Sequence, residues 1–278
     1  MNPATDTDFI RELAVLKRAR ILFGHQSVGQ NILDGLAALL TAAGDAAAGG
    51  PRIRTWDGKS PDSGSGIVSA FIGENTHPES KCRAMETLFA QPGVQAFDVA
   101  LMKFCFVDFG GDTDPAALLA AYRETIAGLK ARHPGTVFVH VTAPLTAISL
   151  RDKLTAPIKH LLGRPRPEAS NIRRNAYNRM LRQAFPGEPL FDIARLESLR
   201  PDGTRAAFRD GDAELDCLAG EYASDGAHLN AEGSRRLARG LVTTLAAAMA
   251  SSRAVSARAA SPPSEASGSA PAGPVATP

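Results

Sequence analysis

Residues 20–31 read RILFGHQSVGQN and join a short apolar strand to a glycine-flanked turn with Ser27 at its tip. Residues 31–41 continue with the amphipathic pattern of a helix. Open α/β sheets bind ligands beyond the carboxyl ends of their strands, so this pattern predicts a functional position for Ser27. A helix that starts just after Ser27 would also direct free backbone N–H groups at the site and favour negative charge there.

Two simpler interpretations of this turn stay open. In the first, Ser27 only caps a helix that begins at Val28 or Gly29. In the second, residues 24–29 bind phosphate, although the stretch lacks the Lys-Ser/Thr pair that follows the last glycine of a P-loop. The turn therefore needs a second motif before it indicates catalysis.

That second motif lies near the end of the folded region, where residues 222–230 read YASDGAHLN. Asp225 stands three residues before His228, a spacing that lets the carboxylate orient the imidazole within one turn. A histidine held in this way can take the proton of a serine hydroxyl and then return it to a leaving group. The chain order Ser27, Asp225, His228 is compatible with a catalytic triad, because triads are defined by geometry and role.

Residues 1–250 alternate between strand-like and helix-like patterns, which predicts a parallel sheet with helices on both faces. The third and fourth candidate strands are nearly continuous apolar runs, as expected for strands covered on both faces. The candidate strands are residues 20–23, 52–55, 97–104, 136–142 and 189–193. The candidate helices are residues 31–41, 80–90, 115–132, 171–183 and 231–249, with Asp114 and Asn230 as caps of the third and the fifth.

Two long loops and a tail complete the chain. Residues 56–79 and 145–170 are predicted loops, and we expect both to border the substrate pocket, the second as a basic lid. The alternative is that both are solvated insertions without a role in binding. Residues 251–278 are mostly Ser, Ala, Pro and Gly, so we predict a disordered tail outside a single domain of residues 1–250.

The composition argues against several classes of function. A formal charge of +2 over 278 residues gives no reason to expect nucleic acid or an anionic membrane as a partner. No apolar run reaches the roughly 20 residues of a membrane-spanning helix. Three cysteines do not form a disulfide framework, and Cys105 is predicted to be a buried thiol. The first residues lack the pattern of a signal peptide, so the expected location is cytoplasmic, although a chain trimmed of an export signal would read the same.

Together the two motifs resemble those of the SGNH (GDSL-type) hydrolase superfamily. ILFGHQSVG is similar to its first block, a strand followed by Gly-Asp-Ser, with Gln26 in place of the Asp. DGAHLNAEG is similar to its last block, Asp-x-x-His-Leu-Asn ahead of a helix with a glycine, and the resemblance covers residues 18–248. It implies a flavodoxin-like three-layer α/β/α sandwich with a central parallel sheet. It also implies Ser27 as nucleophile, His228 as base, Asp225 as the partner of that base, and no cofactor.

The third block differs from the family pattern. The family has Gly-x-Asn-Asp after the third strand, and its Asn side chain contributes to the oxyanion hole, whereas this chain reads KFCFVD. Cys105 and Val107 therefore stand where Gly and Asn are expected, and Asp108 is retained. The loss of one donor typically lowers the rate by about 10²- to 10³-fold, so either another residue compensates or the protein is a poor or inactive esterase.

The resemblance implies an oxyanion hole built from the backbone amide of Ser27 and that of a glycine in the second block. We assign that glycine to Gly73, with Gly64 and Gly66 as competitors. Asn75 lies close to Gly73 in the sequence and is assigned to the hole as a replacement donor.

Four further residues of the first and third blocks are assigned to substrate binding: His25, Gln26, Lys103 and Asp108. For His25, the alternative is that it positions the turn before Ser27. Lys103 is also an alternative to Asn75 as the missing donor of the oxyanion hole.

The histidines and acids near one edge of the predicted sheet raise the alternative of a metal site. The chain has no His-x-His or His-x-x-x-His spacing, and the family mechanism requires no metal, so no metal is predicted.

The predicted function is that of a serine esterase that hydrolyses a small, acetyl-like ester. By resemblance, the substrate is a small molecule or a carbohydrate ester. Two alternatives stay open. One is an acyltransferase that uses the same triad, and the other is a non-catalytic ligand-binding protein on the same scaffold, which the altered first and third blocks motivate. The oligomeric state is left undetermined.

Overall fold

The computed structural model describes residues 7–56, 64–91, 97–148 and 168–260. The helices and strands in these ranges, in chain order, are α1 (Thr7–Leu16), β1 (Arg20–His25), α2 (Ser27–Ala43), β2 (Ile53–Thr55), β3 (Gly66–Phe71), α3 (Pro78–Phe89), β4 (Val99–Met102), α4 (Pro115–Arg132), β5 (Val137–Val141), α5 (Ala169–Ala184), β6 (Leu190–Phe191), α6 (Ile193–Ser198), β7 (Ala207–Asp210), β8 (Ala213–Asp216) and α7 (Ala231–Ala260).

Six of these strands form a parallel sheet in the order β2-β3-β1-β4-β5-β6, and β7 and β8 form a separate antiparallel hairpin. The chain places β2 and β3 on one side of β1, and β4, β5 and β6 on the other. Ligand sites in open parallel sheets form where the strand order reverses in this way, outside the carboxyl ends of the strands. The turn that carries Ser27 follows β1 and lies at this reversal point.

Alternate side chains of the central strands enter two separate apolar layers. Ile21 and Phe23 of β1 pack with α1, α2 and α7 on one face, whereas Leu22 packs with α3, α4 and α5 on the other. Strands β4 and β5 divide in the same way. Because both faces are covered, polar residues are scarce in these strands, which explains their apolar runs in the sequence. The predicted three-layer α/β/α sandwich with a central parallel sheet is confirmed.

Both predicted helix caps are present. The Asp114 side chain accepts hydrogen bonds from backbone N–H groups in the first turn of α4 at 2.8 and 3.3 Å. The Asn230 side chain accepts two from the first turn of α7, both at 3.0 Å. The second cap matters for function, since it fixes where α7 begins and therefore where the preceding turn with His228 ends.

The prediction of one long loop over residues 56–79 is wrong in its second half, because β3 lies inside it. Its sequence, GIVSAF, is short and follows a Gly- and Ser-rich stretch, and its pairing with β1 on one edge and β2 on the other stabilises it. Gly66 has a φ of +125°, and a Cβ atom there would lie 2.3 Å from the carbonyl oxygen of Arg52. This glycine therefore opens a strand rather than marking a loop.

Other differences concern elements that were not predicted and the two ends of the chain. Helices α1 and α6 and the β7–β8 hairpin were not predicted, and α7 continues to Ala260, past the domain boundary predicted at residue 250. Residues 149–167 of the predicted basic lid and residues 261–278 of the predicted tail lie outside the described residues. Lid, tail and domain boundary stay predictions. No helix in the described ranges is both long enough and apolar enough to cross a membrane.

Candidate active site

The turn after β1 places Ser27 at the first residue of α2. Gln26 precedes the helix in an extended conformation, with φ −132° and ψ −158°, and its side chain does not cap the helix. The interpretation of Ser27 as a mere cap of a helix from Val28 or Gly29 is therefore wrong, since the helix begins at Ser27 itself. The first backbone N–H groups of α2 have no acceptor within the helix and are directed at the site.

Ser27, His228 and Asp225 form one chain of hydrogen bonds at the carboxyl edge of the sheet. The Nε2 atom of His228 lies 3.0 Å from Oγ of Ser27, and its Nδ1 atom lies 2.7 Å from Oδ2 of Asp225. The imidazole is 34% exposed and the carboxylate 59% exposed, so solvent reaches this chain of bonds. The structure thus brings the three residues into the arrangement that a nucleophile, its base and an orienting acid require.

The turn around Asp225 keeps its carboxylate ionised. Its Oδ1 atom accepts hydrogen bonds from the backbone N–H groups of His228 at 2.8 Å and Ala227 at 3.0 Å. The backbone N–H of His228, the His228 ring and the backbone N–H of Ala227 hold the pKa of Asp225 well below its usual range. An ionised Asp225 favours the imidazole tautomer that carries its proton on Nδ1, which leaves Nε2 able to accept the proton of Ser27.

Contacts with α2 and the shape of its own backbone position the turn of Asp225 and His228. The backbone N–H of Leu229 donates to Oδ1 of Asn31 in α2 at 3.3 Å, so the residue after His228 is joined to the helix that carries Ser27. Gly226 bends the turn with a φ of +88°, a conformation that glycine adopts without strain. Gly226 is therefore needed for the backbone conformation of this turn.

Gly73 lies beyond the carboxyl end of β3, on the same sheet edge as Ser27. Its φ is +58°, and a Cβ atom there would lie 2.6 Å from the backbone nitrogen of Lys81, so the position requires glycine. The Gln26 side chain donates to the carbonyl oxygens of Ile72 at 2.9 Å and Gly73 at 2.8 Å, and this joins the first block to the second. The Gly73 amide itself makes no hydrogen bond within the described ranges, and it stays a candidate donor to an oxyanion.

The competing glycines do not share this position. Gly66 is the first residue of β3, at its amino end, and Gly64 comes earlier still, so both belong to the opposite edge of the sheet. Asn75 lies in an exposed turn of residues 74–77 and makes no hydrogen bond to the described part of the chain. Its assignment as a donor stays a prediction.

His25 does not line the site, because it is fully buried. Its Nε2 atom lies 2.7 Å from Oγ of Ser69 and its Nδ1 atom lies 2.9 Å from the carbonyl oxygen of Gln26. Burial lowers the pKa of His25 to about 4, so the ring is neutral near pH 7. A Cβ atom on Gly29 would lie 2.3 Å from the Cβ atom of His25, so the ring supports the first turn of α2. Of the two roles predicted for His25, positioning of the turn fits this burial, and the substrate contact does not.

Asp108 is also buried and serves as an anchor. Its Oδ1 atom accepts from Lys81 Nζ at 2.8 Å and from the Thr76 backbone at 3.0 Å, and its Oδ2 atom accepts from the Cys105 backbone at 2.6 Å. These bonds join the second block, α3 and the third block. The predicted substrate contact of Asp108 is corrected, because a fully enclosed carboxylate with these partners does not reach a substrate.

Lys103 is 1% exposed and, like Asp108, is buried in the protein interior. Its Nζ atom donates to the carbonyl oxygen of Phe104 at 3.4 Å, and burial lowers its pKa. Neither its predicted substrate contact nor its alternative role as an oxyanion donor fits this position, since its charge faces the interior. Buried Glu197 is one of its neighbours, and burial raises the pKa of that carboxyl to about 8.

Two residues of the site were missed by the sequence analysis. Phe106 follows β4 and packs its ring against that of His228, with the ring centres 5.3 Å apart and the planes at 83°. Arg174 of α5 is buried and donates twice to the carbonyl oxygen of Phe106, at 3.0 and 2.8 Å. An aromatic residue four positions after the end of a buried strand was a usable signal for Phe106. Nothing in the helical pattern around Arg174 distinguishes it from a surface arginine.

Burial settles the prediction about Cys105. Cys105 is a fully buried thiol, as predicted. Among the described residues, no cluster of three or more His, Cys, Asp or Glu side chains is placed to hold a metal ion.

No protein-family model and no curated protein matches the sequence. Among solved structures, a peptidoglycan O-acetylesterase is 12% identical with a TM-score of 0.51, over 89% of this chain and 97% of that chain. The lipase/acylhydrolase from Enterococcus faecalis is 13% identical with a TM-score of 0.47, over 83% and 96%. A GDSL-like lipase from Bacteroides thetaiotaomicron is 10% identical with a TM-score of 0.47, over 90% and 98%. At these identities the likeness is one of architecture, and this chain shares its fold with the peptidoglycan O-acetylesterase.

Proposed function

We propose that this protein is a serine esterase that hydrolyses a small acyl ester. The observation that carries the proposal is the chain of hydrogen bonds from Ser27 Oγ to His228 Nε2 at 3.0 Å and from His228 Nδ1 to Asp225 at 2.7 Å. Both distances lie in the range that proton transfer to and from a catalytic base requires.

The reaction has two halves. In the first, Ser27 Oγ forms a bond to the ester carbonyl carbon while His228 Nε2 takes the hydroxyl proton. The tetrahedral intermediate collapses, the bond to the alcohol oxygen breaks, and His228 gives that oxygen its proton. In the second half, water loses a proton to His228 and attacks the acyl-serine, and the acid leaves as Ser27 regains its proton.

The negative charge of the intermediate needs donors, and two backbone groups are available. The amide of Ser27 stands at the uncapped start of α2, where the partial positive charge of the helix terminus adds to its effect. The Gly73 amide is the second, and Asn75 is our candidate for a third. With Val107 in place of the family's asparagine, the hole depends on these groups.

An acetyl-like acyl group on a carbohydrate is the proposed substrate class. One solved structure with the same fold is a peptidoglycan O-acetylesterase, and this supports the proposal at the level of reaction class. The alternative of a non-catalytic binding protein is not favoured by the 3.0 Å contact between Ser27 and His228.

The test is covalent labelling with a fluorophosphonate probe, with the adduct located by peptide mass spectrometry. We expect an adduct on Ser27 that is absent in Ser27→Ala and strongly reduced in His228→Ala. A folded protein that gains no adduct would instead make ligand binding without catalysis the leading function. Adding a sugar acceptor during turnover of an acetyl ester separates the two enzyme classes, because an acyltransferase forms acetylated acceptor in place of free acetate.

A further inference from the structure

The ring of Phe106 lies directly beside the general base. It meets the imidazole of His228 edge to face, at 5.3 Å between ring centres, and it is only half-buried. Its buried side packs against the apolar layer that includes Val28 and Leu229. Part of an aromatic surface therefore stays open next to the atoms that handle the proton.

A buried arginine fixes this ring in place. Arg174 donates to the Phe106 carbonyl from both Nε and Nη2, and its Nη1 atom donates to Thr146 Oγ1 at 3.0 Å and Asn171 Oδ1 at 2.6 Å. A buried guanidinium is unfavourable unless its N–H groups are satisfied, and these partners satisfy it. These bonds hold the backbone of Phe106, and its ring, packed against the apolar layer, forms one wall beside His228.

The chemistry of ester cleavage determines which part of a substrate meets this wall. His228 Nε2 must give a proton to the leaving oxygen, so that oxygen lies within hydrogen-bond reach of the imidazole. The carbon that bears the oxygen then lies within van der Waals reach of side chains that flank the imidazole. Phe106 flanks it, and so the wall stands on the alcohol side of the substrate.

We infer that Phe106, held by Arg174, is a binding platform for the alcohol part of the ester and selects alcohols whose ring presents a flat apolar face. A pyranose ring and an aryl ring share this feature, since both stack on an aromatic side chain. The inference rests on the proposed esterase function and adds to it the class of alcohol.

The experiment compares three acetates that differ only in the alcohol: ethyl acetate, phenyl acetate and a mono-O-acetylated methyl glucopyranoside. Each is measured with wild-type protein, with Phe106→Leu, which keeps apolar volume but removes the aromatic face, and with Phe106→Trp, which restores one. We expect Phe106→Leu to lower kcat/KM for one or both ring esters by about 3- to 10-fold, mainly through KM, and for ethyl acetate by less than about 2-fold. Phe106→Trp should stay close to wild type on the ring esters.

The two ring esters distinguish the source of the alcohol. A loss confined to the acetylated glucopyranoside indicates a sugar, and a loss confined to phenyl acetate indicates an aryl alcohol. An equal loss on all three esters would mean that Phe106 only positions His228, and no loss on any would mean that it only packs. Either result overturns the inference while Ser27 still reacts with the fluorophosphonate probe. If wild-type protein neither cleaves an acetate nor gains that adduct, the proposed function fails, and the inference fails with it.

Discussion

Two aspartates of this molecule accept hydrogen bonds from the same kinds of donor but differ entirely in their exposure to solvent. Asp225 accepts two backbone N–H bonds and one from the His228 ring, and its carboxylate is 59% exposed. Asp108 also accepts two backbone N–H bonds and one from a side chain, the Lys81 ammonium, but it is fully enclosed. His228, the partner of Asp225, also contacts Ser27 at the solvent-exposed edge. Lys81, the partner of Asp108, instead also donates to the carbonyl oxygen of Glu74 in a loop.

The difference teaches that hydrogen-bond pattern alone does not define a catalytic carboxylate. A group takes part in chemistry when its partner can exchange a proton with a reacting atom that substrate can reach. The same partners around a buried carboxylate instead hold chain segments together. His25 and His228 show the same contrast. Buried His25 supports the first turn of α2, whereas the partly exposed His228 contacts Ser27.

The largest expected effect comes from removing the partner of Asp225. His228→Ala should lower kcat for a small ester by about 10⁴- to 10⁶-fold, because Ser27 loses the base that takes its proton. The melting temperature should change little, since the imidazole is at the surface. Steady-state kinetics with an acetyl ester and thermal unfolding measure the two effects. His133→Ala, at the end of α4 and far from the triad, is the control and should retain wild-type activity; a residual rate near wild type in His228→Ala would break the comparison.

Removing Lys81, the side-chain partner of Asp108, should mainly lower stability rather than kcat. Lys81→Met leaves a carboxylate enclosed without its cation, and the free energy of unfolding should fall by about 3–5 kcal/mol. Urea unfolding measures it. The matched control on the same helix is Arg83→Met, whose exposed ion pair with Glu79 at 3.9 Å should contribute less than about 1 kcal/mol. Equal losses in the two variants would show that burial does not distinguish the two pairs.

The smallest expected effect is the pH dependence of stability that buried His25 causes, and it tests the contrast between His25 and His228. The unfolded chain binds a proton at His25 below about pH 6.5, whereas the folded chain resists protonation there until about pH 4. At His25 the unfolded state therefore binds more protons in this window, so the contribution of His25 to stability falls by up to about 3 kcal/mol as the pH falls from 6.5 to 4. Burial also lowers the pKa values of His133 and His140, and both contribute in the same direction. Glu197, whose pKa is raised to about 8, acts in the opposite direction.

The measurement is the free energy of unfolding across that window for wild type and His25→Gln. Because His133, His140 and Glu197 are present in both proteins, the difference between the two curves isolates His25. We expect the advantage of wild type to shrink steadily as the pH falls from 6.5 to 4. Parallel curves would mean that His25 is protonated as easily in the folded protein as in the unfolded chain.

Features that depend on neighbouring residues could be read from the sequence. The strand, turn and helix around Ser27, the three-residue spacing of Asp225 and His228, and the cap at Asn230 are local patterns with local physical causes. Their combination predicted the fold and named the three residues that the structure brings together. The apolar runs of β4 and β5 likewise indicated a sheet covered on both faces, since a strand between two helical layers has no polar side.

Only the tertiary structure decided which polar residues are exposed at the carboxyl edge of the sheet. Lys103 and Asp108 are polar residues near the carboxyl end of a strand, and His25 lies two residues before Ser27, yet all three are enclosed by elements distant in the sequence. The same holds for β3, which needs a partner on each edge, and for Arg174, whose hydrogen bonds reach Phe106 from another helix. Exposure and long-range contact are set by how whole elements pack, and no short window of sequence contains that information.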